Sequence, residues 1–126
     1  MLKPDLAGRR ILVVEDVPLL AFDIIEQIQE HNGVALGPAM TLEQGLNALR
    51  DMKPDACIIN IRLGPDMVYE LADKLLEQGV PFVFASSELR SDIPERFAGV
   101  PLFAKPVDMV KAAAGLIEHG ATQAEM

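Results

Sequence analysis

Ala56-Cys57-Ile58-Ile59 is an uninterrupted apolar run that stops at Asn60 and passes at once into Ile61-Arg62-Leu63-Gly64-Pro65. A strand with one wet face alternates apolar and polar side chains. A continuous run therefore demands cover on both faces, as in a parallel sheet with helices on each side. The same grammar recurs along the chain. Ile11-Leu12-Val13-Val14 ends at Glu15-Asp16, Val80-Pro81-Phe82-Val83-Phe84-Ala85 ends at Ser86-Ser87, and Val100-Pro101-Leu102-Phe103-Ala104 ends at Lys105-Pro106. Val34-Ala35-Leu36-Gly37 is a further short strand, and the two prolines around Leu102 place the last one at a sheet edge.

Helical patterns separate these runs. Pro18 suits a helix's first turn with Asp16 near the cap. Leu20, Ala21, Ile24, Ile25 and Ile28 then share one face up to about Glu30. Leu19 and Phe22 flank that stripe and read either as core edge or as a docking surface. His31-Asn32-Gly33 closes the helix, with His31 at the negative end of its dipole. Thr41 and Gln44 resemble a capping box for a second helix with Leu42, Leu46, Leu49 and Met52 inward, although Gly45 interrupts it. A third helix buries Val68, Leu71, Ala72 and Leu75 and ends at Gly79. The segment 88–98 predicts a loop and a short helix around 94–98, and a last helix runs from about 108 to 119.

Five strands alternating with five helices make a (βα)5 doubly wound, parallel five-stranded sheet in a three-layer α/β sandwich. Residues 1–8 read as a polar lead-in, 9–119 as one domain and 120–126 as a frayed tail. At 126 residues the chain can bury a normal core, and with five Phe, one Tyr and no Trp that core should be aliphatic. The net charge of −8 opposes binding to nucleic-acid backbones. One cysteine makes no internal disulfide, and Cys57, within a strand, reads as a buried, inert thiol. Neither a signal peptide nor a membrane span is legible, so the expectation is a cytoplasmic protein without membrane contact.

Right-handed crossovers bring all five strand ends to one edge, where open α/β sheets bind ligands. The polar residues at those ends are Glu15, Asp16, Asn60, Ser86 and Lys105. Two acids and a strand-end oxygen suit Mg²⁺, a hard cation that takes oxygen ligands. A lysine and a serine hydroxyl can hold phosphoryl oxygens. Aspartate at position 60 would complete a phosphoryl-accepting nucleophile; asparagine keeps the shape and loses both the anion and the nucleophilicity.

The set Ile11-Leu12-Val13-Val14-Glu15-Asp16, the strand ending at Asn60 with Leu63-Gly64 after it, Ala85-Ser86 and Lys105-Pro106 resembles the receiver domain of two-component response regulators over nearly the whole chain. The resemblance implies the flavodoxin/CheY-like fold. It makes Glu15 and Asp16 the Mg²⁺-binding acids, with Asp16 the more direct ligand, and the Arg62 backbone carbonyl the remaining protein ligand beside residue 60. Asn60 would hold the phosphoacceptor position, where the family carries aspartate. Ser86 would be the switch hydroxyl and Lys105 the phosphoryl-sensing lysine, its bond to Pro106 often cis. Leu102 falls where the family's switch aromatic stands, which weakens any aromatic-flip coupling. Pro81-Phe82-Val83-Phe84-Ala85-Ser86 looks like the Pro-Phe-x-Phe-Ala-Thr-Gly-Tyr subgroup of alphaproteobacterial stress receivers, with Ser86-Ser87-Glu88 departing from its end.

The function so implied is that of a single-domain receiver in phosphorelay signal transduction, acting by protein–protein binding and not as an enzyme. It would bind a histidine kinase or histidine phosphotransfer protein through Leu19 and Phe22. A homodimer would form through helix four, strand five and helix five. Asn60 makes it either a natural pseudo-receiver or an engineered Asp-to-Asn variant; the departures at Ser87, Glu88 and Leu102 favour the former. The alternative is a small Mg²⁺-dependent phosphotransfer or phosphohydrolase enzyme on the same fold, using Glu15 and Asp16.

Overall fold

The run at 11–14 becomes an interior strand of the sheet, paired on both sides. In the computed structural model, which describes residues 5–105 and Ala112, β1 (Arg10–Val14) pairs in parallel with both β2 (Val34–Ala39) and β3 (Ala56–Ile59). A two-stranded antiparallel ribbon, β4 (Arg62–Leu63) and β5 (Asp66–Met67), follows β3 and turns at Gly64-Pro65. Beyond it lie β6 (Phe82–Ala85) and the short β7 (Leu102–Phe103). The main sheet runs in the order β2-β1-β3-β6-β7, all parallel, with β7 at the edge that its flanking proline suggested.

Alternation along the strands divides the core into two layers. Leu12 and Val14 of β1, Cys57 and Ile59 of β3, and Phe82 and Phe84 of β6 point to one face. There they pack on α2 (Leu42–Met52) and α3 (Tyr69–Gln78) through Leu49, Leu71, Ala72 and Leu75. Ile11, Val13, Ala56, Ile58, Val83 and Ala85 point to the other, under α1 (Pro18–Glu30) with its Ala21, Ile24 and Ile28, and against Ala112. The strands are apolar throughout because both faces are covered. Burial pushes the Cys57 thiol far above its ordinary range, so it is packing material.

Local chemistry explains the helix ends. Thr41 Oγ1 accepts from the Gln44 N–H at 3.0 Å, while Gln44 Oε1 reaches back to the N–H of Met40 at 2.8 Å. Gly45 has a packing reason: a β-carbon there would come within 3.0 Å of Leu71 Cδ2 and 3.5 Å of Val14 Cγ1. Within that helix only Leu49 among the expected apolar positions is fully buried, and Met52 is exposed. Gly37, at φ +97°, lies so close to Val13 O that a β-carbon would sit 2.9 Å from it. After α1 it is Asn32 that takes the left-handed conformation, and buried His31 receives at its ring the 2.8 Å contact of Nδ1 with the Gln27 carbonyl.

Two expectations are corrected. The lead-in is not merely polar: Leu6 is fully buried against Gly33 and Ile28, its N–H donating to His31 O at 2.7 Å. An apolar side chain beside an open helix end gains more from burial than from fraying. The loop and short helix expected over 88–98 take the form of two 3-10 turns, Arg90–Asp92 and Glu95–Phe97, so the fourth α-helix of a five-helix alternation is not formed there. Pro94 lies between them and lacks the N–H that a continuous helix needs. Phe97 anchors this segment, stacked on Tyr69 at 5.5 Å and edge-on to Phe84 at 5.7 Å. The core is therefore aliphatic with one aromatic cluster under the irregular segment. The helix expected at 108–119 (Ala112 apart), Pro106 and the tail 120–126 lie outside the described residues.

Candidate functional site

The sheet itself positions the site, because Glu15, Asn60 and Ser86 are each the first residue beyond a strand and still donate into the ladder. The Asn60 N–H reaches Val14 O at 2.8 Å, the Glu15 N–H reaches Ala39 O at 2.9 Å, and the Ser86 N–H reaches Phe103 O at 3.0 Å. With backbones held this way, the side chains converge on one edge. Asp16, Val17, Asn60, Arg62, Gly64, Ser86, Ser87, Glu88 and Lys105 line a cleft of about 200 Å³. Glu15 lies beneath its floor, with 1% of its surface exposed. Leu102 stands apart, half-buried on β7 against the core.

Asn60 is the centre of the polar network. Its Nδ2 lies 2.7 Å from the Arg62 carbonyl oxygen, 3.1 Å from Glu15 Oε2 and 3.3 Å from Asp16 Oδ1. All three partners are acceptors, which fixes the amide orientation: the NH₂ group, not the oxygen, must face them. Glu15 Oε2 also accepts from the Val17 N–H at 3.2 Å, and Glu15 Oε1 forms an ion pair with Lys105 Nζ at 2.8 Å. Asp16 does not cap α1, whose N-cap is Val17; its Oδ2 accepts instead from the Gly64 N–H at 3.0 Å. Burial pushes the Asp16 carboxyl upward, but hydrogen bonds with Glu15, Gly64, its own backbone and Asn60 outweigh that and hold it below the ordinary carboxylate range.

The rim adds a feature that sequence reading missed. Arg62 reaches Glu88 across the cleft mouth at 3.2 Å, and Ser86 Oγ accepts from the Glu88 N–H at 3.2 Å. Nothing in linear spacing pairs positions 62 and 88; only the adjacency of β3 and β6 does.

Among the described residues no three His, Cys, Asp or Glu side chains gather into a metal-holding group. The oxygens of Glu15, Asp16 and Arg62 are of the type Mg²⁺ takes, yet they converge on the Asn60 amide nitrogen. As arranged they do not fit the ion, which could enter only if the amide left.

Leu19 and Phe22 prove not to be core edge: they are 83% and 59% exposed on α1, beside exposed Val17. A larger cleft of about 640 Å³ lies at the opposite, amino-terminal edge of the strands, lined by Leu46, Leu49, Arg50, Lys53, Pro54 and Lys74 among others. It contains none of the strand-end polar residues, and parallel sheets do their chemistry at the carboxyl edge.

No protein-family model matches the sequence, and no curated protein matches it. Solved structures do. The solution structure of SdrG from Sphingomonas melonis Fr1 is 30% identical, with a TM-score of 0.76 over 88% of this chain and 98% of that one. The chain belongs to the receiver domains of response regulators. This receiver also superposes on the response regulator PhyR from Brucella abortus, at 24% identity and a TM-score of 0.78 over 97% of its own length. It spans about half of that protein, 53% of the PhyR chain. A receiver domain of a modulated diguanylate cyclase from Desulfovibrio desulfuricans G20 shares the fold, at 22% identity and a TM-score of 0.79 over 94% of this chain and 98% of that one. The sheet and its two covering layers are thus the flavodoxin/CheY-like arrangement.

Proposed function

We propose that this receiver works in two-component signal transduction by binding other proteins, and that it takes no phosphoryl group at position 60. The observation that supports this reading is Asn60 itself, at the end of the central β3, with its amide turned into the acidic network. A carboxamide is a very poor nucleophile, so the residue at the phosphoacceptor position cannot form an acyl phosphate. Glu15, Asp16 and the Arg62 carbonyl occupy the positions of a Mg²⁺ site, but their oxygens are taken up by the Asn60 amide and residue 60 brings no charge, so this reading needs no bound ion. Ser86 and Lys105 keep the switch and sensing positions, with Leu102 in place of the aromatic.

The partner is a histidine kinase or a histidine phosphotransfer protein in the cytoplasm, met through the exposed Leu19 and Phe22 of α1. Large exposed apolar side chains beside the functional edge are what a helical partner can bury. Self-association through the β7 edge belongs to the same reading, but there the 3-10 turns at 90–97 would stand in for helix four. A catalytic role has less support, since no base in the cleft faces an activated nucleophile among the described residues.

Two measurements test this. Intact mass after incubation with a small acyl phosphate and Mg²⁺ should show no adduct, and a phosphorylated species would overturn the reading. Phe22→Ala should weaken binding to a phosphotransfer protein about tenfold or more. Unchanged affinity would remove α1 as the docking surface.

A further inference from the structure

Asn60 Nδ2 has two hydrogens and three oxygen neighbours, at 2.7, 3.1 and 3.3 Å. One of the three contacts is therefore shared, and the nitrogen sits at the common focus of a carbonyl and two carboxylates. Among the described residues the other donors approach from outside the focus: the Val17 N–H shares Glu15 Oε2 at 3.2 Å, Lys105 meets the other oxygen of Glu15, and the Gly64 N–H meets the other oxygen of Asp16. The charges are also closer to balance than an aspartate at 60 would leave them. Two carboxylates face one ammonium and one amide dipole, whereas an aspartate at 60 would set three carboxylates against a single ammonium. Such a cluster needs an external cation; the present one does not.

Size separates the two occupants. Mg²⁺ holds oxygens at about 2.0–2.1 Å in a demanding octahedral shell, while the amide holds the same oxygens at 2.7–3.3 Å. Admitting the ion would require drawing the oxygens inward, breaking all three contacts and turning a 6% exposed side chain out of its place.

We propose that the carboxamide of Asn60 is a built-in substitute for the divalent cation, completing the strand-end cluster so that the fold and the conformation of this edge are independent of metal. The proposal deepens the reading of a receiver that acts by binding, and it makes that binding insensitive to Mg²⁺. Asn60 then has a positive role: it holds the β1, β3 and β4 ends together from within.

The test uses the full chain, Asn60→Asp and Asn60→Ala, each melted in EDTA and in about 10 mM MgCl₂, with backbone amide NMR of the unaltered chain through the same titration. The unaltered chain should keep its Tm and its Asp16, Asn60 and Gly64 amide shifts. Asn60→Asp should melt lower in EDTA and recover by roughly 5 °C or more with Mg²⁺, as expected when an ion binds only the folded state. Asn60→Ala, which opens the focus without adding charge, should also lose stability and gain a Mg²⁺ response; it keeps the test readable if Asn60→Asp does not fold. Saturable Mg²⁺ shifts at Asp16 and Gly64 in the unaltered chain would overturn the proposal. So would variants as stable in EDTA as the parent. Neither result bears on the mass and Phe22→Ala measurements, so the two readings fail separately.

Discussion

Lys105 Nζ lies 2.8 Å from Oε1 of Glu15, a side chain with 1% of its surface exposed. The two residues stand at opposite ends of the described chain, after β7 and after β1, and neither strand pairs with the other. The ion pair therefore spans the sheet's functional edge above β3 and β6. It also directs the Lys105 charge onto Glu15.

Removing that charge should expose the dependence. Lys105→Met leaves a buried carboxylate short of its cation and is expected to cost about 3 kcal/mol in urea unfolding. The double variant Glu15→Gln/Lys105→Met should lose clearly less than the sum of the single changes, because the penalty is mostly the orphaned charge. Additive losses would mean that the pair is not coupled.

Arg90 should be a structural residue despite its exposure. Its guanidinium donates to Val100 O at 2.6 Å and to Phe97 O at 3.2 Å, closing the irregular segment before β7. Arg90→Ala is expected to cost about 1–3 kcal/mol, since buried carbonyls are left without donors. Faster amide exchange confined to 90–100 would accompany it.

Phe97→Ala should cost about 3–5 kcal/mol, the range for emptying a fully buried aromatic position. Tyr69 and Phe84 lose their ring partner together. A thermal melt reads it directly, and a loss under 1 kcal/mol would require the segment to collapse into the space.

Gly37→Ala should destabilise by about 2 kcal/mol or more, because a β-carbon at φ +97° would meet the backbone of Val13 and Ala39 at 2.9 and 2.8 Å. Backbone atoms in a paired strand cannot step aside as a flexible side chain could.

Acid should weaken the fold through Asp16. Its folded value lies below the ordinary 3.8, so the carboxylate favours the native state. That contribution is complete above the ordinary value and is lost as pH falls below about 4 through the folded value. Asp16→Asn should flatten this acid limb of a stability–pH curve, and an unchanged limb would place the effect elsewhere.

How much of this was legible beforehand follows from what each signal measures. Continuous apolar runs reported burial on both faces, so the strands at 11–14, 56–59 and 82–85 and their polar terminators could be read directly. The α1 stripe, the Thr41 cap and the Gly79 stop are equally local, set by periodicity and by one or two hydrogen bonds. Leu6 was misjudged because a lone apolar residue in a polar stretch carries no period. The missing fourth helix was half visible in Pro94, but the anchors that replace it, Phe97 on Tyr69 and Arg90 on Val100, join positions whose proximity no spacing encodes.

The site divides the same way. The sequence by itself determined which residues reach the carboxyl edge, because strand ends and right-handed crossovers leave no other place for Glu15, Asp16, Asn60, Ser86 and Lys105. It also determined that residue 60 is no nucleophile, a property of the amide alone. Only the tertiary structure decided where that amide points, that Lys105 rests on Glu15 and that Arg62 spans to Glu88. Those are contacts between residues 26 to 90 positions apart, and their distances exist only once parallel pairing has set the strands side by side.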